Sequence, residues 1–241
     1  MNRLVKCVNL QFRIMAKSTL LFLGIYFAVT LALLLLFLSF RGSNSNGDVN
    51  TGFYIGGAIF AFIYVIANHK AMFNYLLMFG NTRKIFFFST AITSVAMSIF
   101  LSLVSIFSLF WDELMSKTFH FNNTDNLLNL IYNSSNKAAE FLWFAAFFIV
   151  ICSFSMLYGS LAYKLGTVFI TVFWVAFGLS WMVLPGLAGM GGITAFINIL
   201  KTYFSVGVPN GILLAPVNFI ITAIVLGGAA YFISRRQPQS T

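Results

Sequence analysis

Six stretches of this chain, Ser18–Phe40, Thr51–Ala67, Ile85–Phe110, Phe141–Tyr158, Leu165–Leu184 and Pro216–Ser234, contain no Asp, Glu, Lys, Arg or His. A helix rises 1.5 Å per residue and the hydrocarbon core of a bilayer is about 30 Å thick, so about 20 apolar residues carry a chain across. Each stretch reaches or approaches that length. The pattern predicts an all-α polytopic membrane protein with six transmembrane helices, folded as a single transmembrane domain over residues 1–241. Composition agrees: 60% of residues are hydrophobic, 8% are charged and the mean hydropathy is +0.92, whereas about a quarter of an ordinary soluble domain is charged. A soluble globular domain and a disordered chain are both excluded.

Charge then gives direction. Ten of the 14 basic residues, Arg3, Lys6, Arg13, Lys17, Lys70, Arg83, Lys84, Lys164, Arg235 and Arg236, fall in alternate connections or at the two ends. The other connections hold Arg41, Lys117, Lys137 and Lys201 with all five acids, Asp48, Asp112, Glu113, Asp125 and Glu140. Basic residues stay on the cytoplasmic side of short loops, so both termini are expected in the cytoplasm of a cell-membrane protein. The net charge of +9 is thereby read as topology, and no nucleic-acid partner is expected. The first apolar run is too long for a signal peptide and no small-residue cleavage site follows it, so it is read as a span.

Three further segments are neither span nor simple loop. Residues 1–17 read as an interfacial helix, with Asn2, Arg3, Lys6, Asn9, Arg13 and Lys17 on one face and Leu4, Val5, Val8, Phe12 and Met15 opposite. Residues 68–84 form a cytoplasmic segment in which Lys70–Phe79 could be a short helix with Met72, Phe73, Leu76 and Phe79 on one side, ended by Gly80. Residues 185–215 lie on the outer side yet are largely apolar. Within them Ile193, Phe196, Ile197, Leu200 and Phe204 recur at helical spacing between clusters of glycine, over a length too short to span. That piece reads as an outer re-entrant or interfacial hairpin.

The interior offers little chemistry. The histidines are His69 and His120 and the cysteines Cys7 and Cys152, so no metal-ligand cluster, catalytic dyad or disulfide framework is expected. Ion-coupled carriers place ionisable groups inside the membrane, and these spans have none. The third span carries Thr90, Ser94, Ser98, Ser102, Ser105 and Ser108 on one stripe, and the second starts with Gly52 and Gly56; both are read as helix-packing surfaces. Trp111, Trp143 and Trp181 are read as anchors at the outer boundary.

The order of these parts resembles the permease subunits of ABC-2 type exporters: a basic amphipathic N-terminus, six spans, a cytoplasmic segment closing in Gly80-Asn81-Thr82-Arg83-Lys84-Ile85-Phe86, and an apolar outer hairpin before the last span. The length and the opening Asn9-Leu10-Gln11-Phe12-Arg13 with Lys17-Ser18 are similar to short permeases of Gram-positive bacteria that export, or protect from, amphipathic peptides such as phenol-soluble modulins and lantibiotics. The resemblance implies that Lys70, Phe73, Leu76, Phe79, Gly80, Thr82, Arg83 and Lys84 couple to a separate ATPase subunit. It implies a second, minor ATPase contact at the turn Gly159–Lys164, and a second permease copy, a homodimer or a heterodimer. The chain has no G-x-x-x-x-G-K-[ST] phosphate loop, so ATP and Mg belong to the partner and this chain is not itself expected to be an enzyme. Ile193, Phe196, Ile197 and Leu200 are the expected outer gate. A competing expectation is a non-transporting immunity or scaffold protein that docks a cytoplasmic partner through the same segment.

Overall fold

The computed structural model describes residues 3–40, 52–119, 127–132, 136–188 and 192–236, with side chains for all of these except residues 37–40, 70, 116, 119, 127, 129, 130, 167 and 177–196. Every element among the described residues is helical: α1 (Arg3–Phe40), α2 (Phe53–Met78), α3 (Arg83–Phe119), α4 (Leu127–Tyr132), α5 (Lys137–Ala188), α6 (Gly192–Tyr203) and α7 (Gly211–Arg235). Five helical stretches are long and apolar enough to cross a membrane: Arg3–Leu36, Phe53–Met78, Arg83–Met115, Lys137–Gly166 and Gly211–Arg235.

α5 is two helices rather than one. Gly166 interrupts it with φ 70° and ψ −158°, a backbone that a side chain would strain. Beyond it the chain folds back: the ring of Phe154 meets that of Phe173 at 6.5 Å and Tyr158 meets Phe169 at 5.4 Å. Descending numbers on one limb paired with ascending numbers on the other define an antiparallel hairpin. The sequence places this turn at Gly159–Lys164; the structure keeps those residues helical and turns at Gly166, because only glycine takes that φ cheaply. The second limb holds the expected span Leu165–Leu184, most of whose outer half has no described side chains.

The first limb of α5 and α3 are the centre of the bundle. Half of the spanning residues of each are buried, against 6% in α1. The hydroxyl stripe of α3 is what lets them close. Ser94, Ser98, Ser102, Ser105 and Ser108 are all buried; Ser102 donates to the Phe141 carbonyl at 2.9 Å and Ser98 lies 3.6 Å from the Cys152 sulfur. Ser98, Ser105 and Ser108 also donate back to their own helix, which satisfies each hydroxyl without a ligand. The packing reading of this stripe therefore holds, while Thr90 turns toward α1. Of the two glycines read as a packing pair, Gly56 admits a neighbour, a Cβ there standing 3.1 Å from the Tyr26 ring, whereas a Cβ on Gly52 would meet nothing within 4 Å and Gly52 is instead the positive-φ cap of α2.

Two expectations change. The N-terminal seventeen residues are not a separate helix: Arg3–Phe40 is continuous, since nothing in Lys17-Ser18 breaks it. Its Cys7, Gln11, Met15 and Thr19 face is buried, with Gln11 bonded to Thr90 and Thr93 of α3 at 3.3 Å each, while Val5 and Phe12 of the supposed membrane face stay exposed. Trp143 is not a boundary anchor either. It is 4% exposed, stacks with Phe147 at 5.3 Å and donates to the Tyr132 hydroxyl at 3.2 Å.

Candidate functional site

Both terminal helices finish at the same end of the bundle. Arg3 of α1 donates to the Gly80 carbonyl at 3.4 Å, and Arg83 at the start of α3 donates to the Arg235 carbonyl at the end of α7 at 2.8 Å. The turn of α5 joins them: Tyr163 donates to Asn74 at 3.0 Å and Ser160 lies 3.4 Å from His69 Nε2. This end gathers Arg3, Lys6, Arg83, Lys84, Lys164, Arg235 and Arg236, and the described carboxylates, Asp112, Glu113 and Glu140, lie toward the opposite one. The charge asymmetry read along the sequence is thus a separation in space.

The connection from α2 to α3 is the best-defined surface there. α2 runs without a break to Met78, so Lys70–Phe79 is the end of a spanning helix rather than a short helix of its own. Gly80 has φ 70°; its N–H reaches the Leu77 carbonyl at 2.9 Å and the Asn81 N–H reaches Leu76 at 3.1 Å. These are the paired bonds of a Schellman stop, for which glycine is suited. Thr82 then caps α3, its hydroxyl accepting from the Ile85 N–H at 3.3 Å. A turn fixed by caps on both sides holds its side chains in place.

Those side chains divide sharply. Phe73 is 0% exposed and Leu76 2%, clustered with Cys7 and Phe86 and packed against the half-buried Leu10, Met72 and Tyr163. Rings of Phe86 and Tyr163 each lie 5.1 Å from that of Phe73. Phe73 and Leu76 are core, not a docking face, because the face they share is the one α1, α3 and α5 cover. The exposed set is Tyr75, Met78 and Phe79, the last two at 85% and 66%, with the Tyr75 and Phe79 rings 4.7 Å apart. Lys84 is exposed in the first turn of α3, Arg83 is engaged with Arg235, and the side chain of Lys70 lies outside the described residues. Tyr75 and Met78 were missed because helical spacing alone picks a face without saying which neighbour covers it.

At the opposite end α6 forms over Gly192–Tyr203, nearly the segment expected. Asn218 of α7 donates to the Tyr203 carbonyl at 2.9 Å, and Tyr203 donates to Thr222 at 3.0 Å. Tyr132 of α4 donates to the Phe204 carbonyl; burial pushes its phenol up, so it remains a donor. Of the expected gate, Ile197 and Leu200 are 41% and 38% exposed, and Ile193 and Phe196 have no described side chains. Among the described residues no group of three or more His, Cys, Asp or Glu could hold a metal ion. Comparison with protein-family models, with curated proteins and with solved structures finds no match.

Proposed function

We propose that this chain is the membrane subunit of an ATP-driven exporter of the ABC-2 permease type, with six spans, both termini in the cytoplasm of a bacterial cell and a second copy completing the pathway. The observation that carries the reading is the capped turn between α2 and α3. It presents Tyr75, Met78 and Phe79 with Lys84 at the basic end of the bundle. Aromatic and Met side chains are enriched at the centres of interfaces, and a few such residues commonly supply most of the energy of docking. An ATPase seated there would push on α2 and α3 directly, since both helices continue unbroken from the turn into the bundle.

The cargo is proposed to be an amphipathic peptide. The charge-free runs read as spans hold no Asp, Glu, Lys, Arg or His that would have to be desolvated against an apolar helical face. Export requires a separate ATPase subunit carrying ATP and Mg, and α6 would stand at the outer mouth of the pathway. The test is co-expression with the ATP-hydrolysing subunit encoded beside it. Affinity purification of this chain should retain that subunit, and Met78→Ser with Phe79→Ser should release it while leaving the chain in the membrane. Retention of the ATPase by the double variant would defeat the assignment of the turn.

A further inference from the structure

α1 and α3 run side by side in the same direction. Contacts between them keep a nearly constant offset in residue number: Gln11 with Thr90 (79), Gln11 with Thr93 (82) and Phe27 with Phe107 (107 − 27 = 80). Position 17 of α1 therefore stands level with about position 97 of α3. Their apolar stretches do not start level. That of α3 starts at Ile85, directly after Arg83 and Lys84, whereas that of α1 starts at Ser18, directly after Lys17. The step is 13 residues (98 − 85), or about 20 Å along the axis.

The two helices thus demand different positions of the bilayer surface. Over the height of that step α3 exposes Phe88, Ile92 and Val95, and α7 exposes Ile224, Val225 and Phe232; these require hydrocarbon. Over the same height α1 exposes Arg13 and Lys17 along one face, with Val5 and Phe12 exposed to the side of it. Even if about 30 Å of hydrocarbon is counted inward from Phe110, its far edge falls near position 90, and Lys17 is about 10 Å inside it. A lysine stem snorkels over several ångströms, not the whole of such a step, and a charge facing acyl chains is costly. At 100° per residue Lys6, Arg13 and Lys17 fall within about 40° of one another, opposite the buried Cys7–Gln11–Met15–Thr19 face.

We propose that the bilayer surface at the basic end dips along α1, and that Lys6, Arg13 and Lys17 bind the phosphate headgroups of anionic phospholipids drawn into that depression. Charge complementarity selects the occupant. α1 contains no Asp or Glu, and the described carboxylates are at the other end of the bundle. The inference is independent of the export reading, because it follows from the α1–α3 register alone.

Full-length chain in nanodiscs of phosphatidylcholine with phosphatidylglycerol tests it. Both native thiols are buried, so the unsubstituted chain gives the background. Lys17→Cys should react with a charged thiol reagent roughly tenfold faster than Leu21→Cys or Val95→Cys, which face hydrocarbon. Cysteines at Gln11 and Thr93 should be joined by a short bifunctional thiol cross-linker, since the Gln11 side chain reaches Thr93 at 3.3 Å, which fixes the register on which the height rests. Native mass spectrometry should count more retained phosphatidylglycerol on the wild type than on Arg13→Gln/Lys17→Gln, with inorganic phosphate unable to displace it. The proposal falls if Lys17→Cys is as unreactive as Leu21→Cys, or if Val95→Cys is as reactive as Lys17→Cys. It falls equally if the cross-link between positions 11 and 93 does not form, if the double variant retains as much of the lipid, or if inorganic phosphate displaces the lipid.

Discussion

Phe73 of α2 and Phe79, the residue that caps the helix, lie six residues apart, and their alanine substitutions should have opposite consequences. Phe73 is 0% exposed and touches the rings of Phe86 and Tyr163 at 5.1 Å each. Removing a buried Phe costs about 3–5 kcal/mol, the transfer of the ring plus the cavity it leaves. Each aromatic contact accounts for about 0.5–1.5 kcal/mol within that. Against a total stability of about 5–15 kcal/mol the loss is severe. At about 2–4 °C per kcal/mol for a chain of this size, Phe73→Ala should lower the unfolding temperature in detergent by about 6–20 °C. Phe79 is 66% exposed; Phe79→Ala should fall within about 0.5 kcal/mol of wild type. If Phe79 is a docking hot spot, its loss should cost the ATPase complex about 2 kcal/mol, close to a 30-fold rise in Kd. Thermal unfolding followed by tryptophan fluorescence, with a binding titration on the same preparations, separates the two. Equal unfolding temperatures for the two variants would refute the division of this helix into a core face and an exposed face.

Other substitutions test other joints. Ser98→Leu should cost about 1–3 kcal/mol by overpacking the α3–α5 contact, where Ser98 is 0% exposed; Ser98→Ala should be milder, and equal unfolding temperatures for the two would count against close approach along the stripe. Gly166→Val should open the α5 hairpin at a cost of about 1–3 kcal/mol, because φ 70° with ψ −158° is a backbone essentially reserved for glycine; a thiol cross-link between cysteines at Phe154 and Phe173 should form more slowly in that background. Cysteines at Asn46 and Asn123 should be labelled from outside intact cells by an impermeant maleimide, and a cysteine at Asn81 should not; labelling at Asn81 would invert the topology.

Much of this fold is legible in the sequence. Charge-free runs mark where helices must be, Gly80 marks the end of α2, and the alternation of basic residues anticipates an end that Arg3–Gly80 and Arg83–Arg235 then assemble. Which side chains stay exposed at the end of α2 is less so. Periodicity shows that Met72, Phe73, Leu76 and Phe79 share a side, but which of them is covered depends on α1 and on Tyr163, far off in the chain. The partner of Arg83 is 152 residues away, so its engagement at the end of α7 has no local signal. Trp143 reads as an anchor because tryptophan near a boundary usually is one; only the fold brings Tyr132, Phe147 and Phe219 around it. The turn at Gly166 is displaced from the expected Gly159–Lys164 because helical residues continue until the one glycine whose φ the reversal needs.

The central claim, that this chain moves a substrate under the drive of a separate ATPase, is tested most directly by ATP hydrolysis. The co-purified complex would be reconstituted in nanodiscs and its turnover measured as amphipathic helical peptides are titrated in. Saturable stimulation, lost when Met78 and Phe79 are replaced by Ser, is the predicted result. Turnover that stays constant across such peptides, in a complex that hydrolyses ATP and remains assembled, would contradict the exporter reading and favour a docking or immunity role.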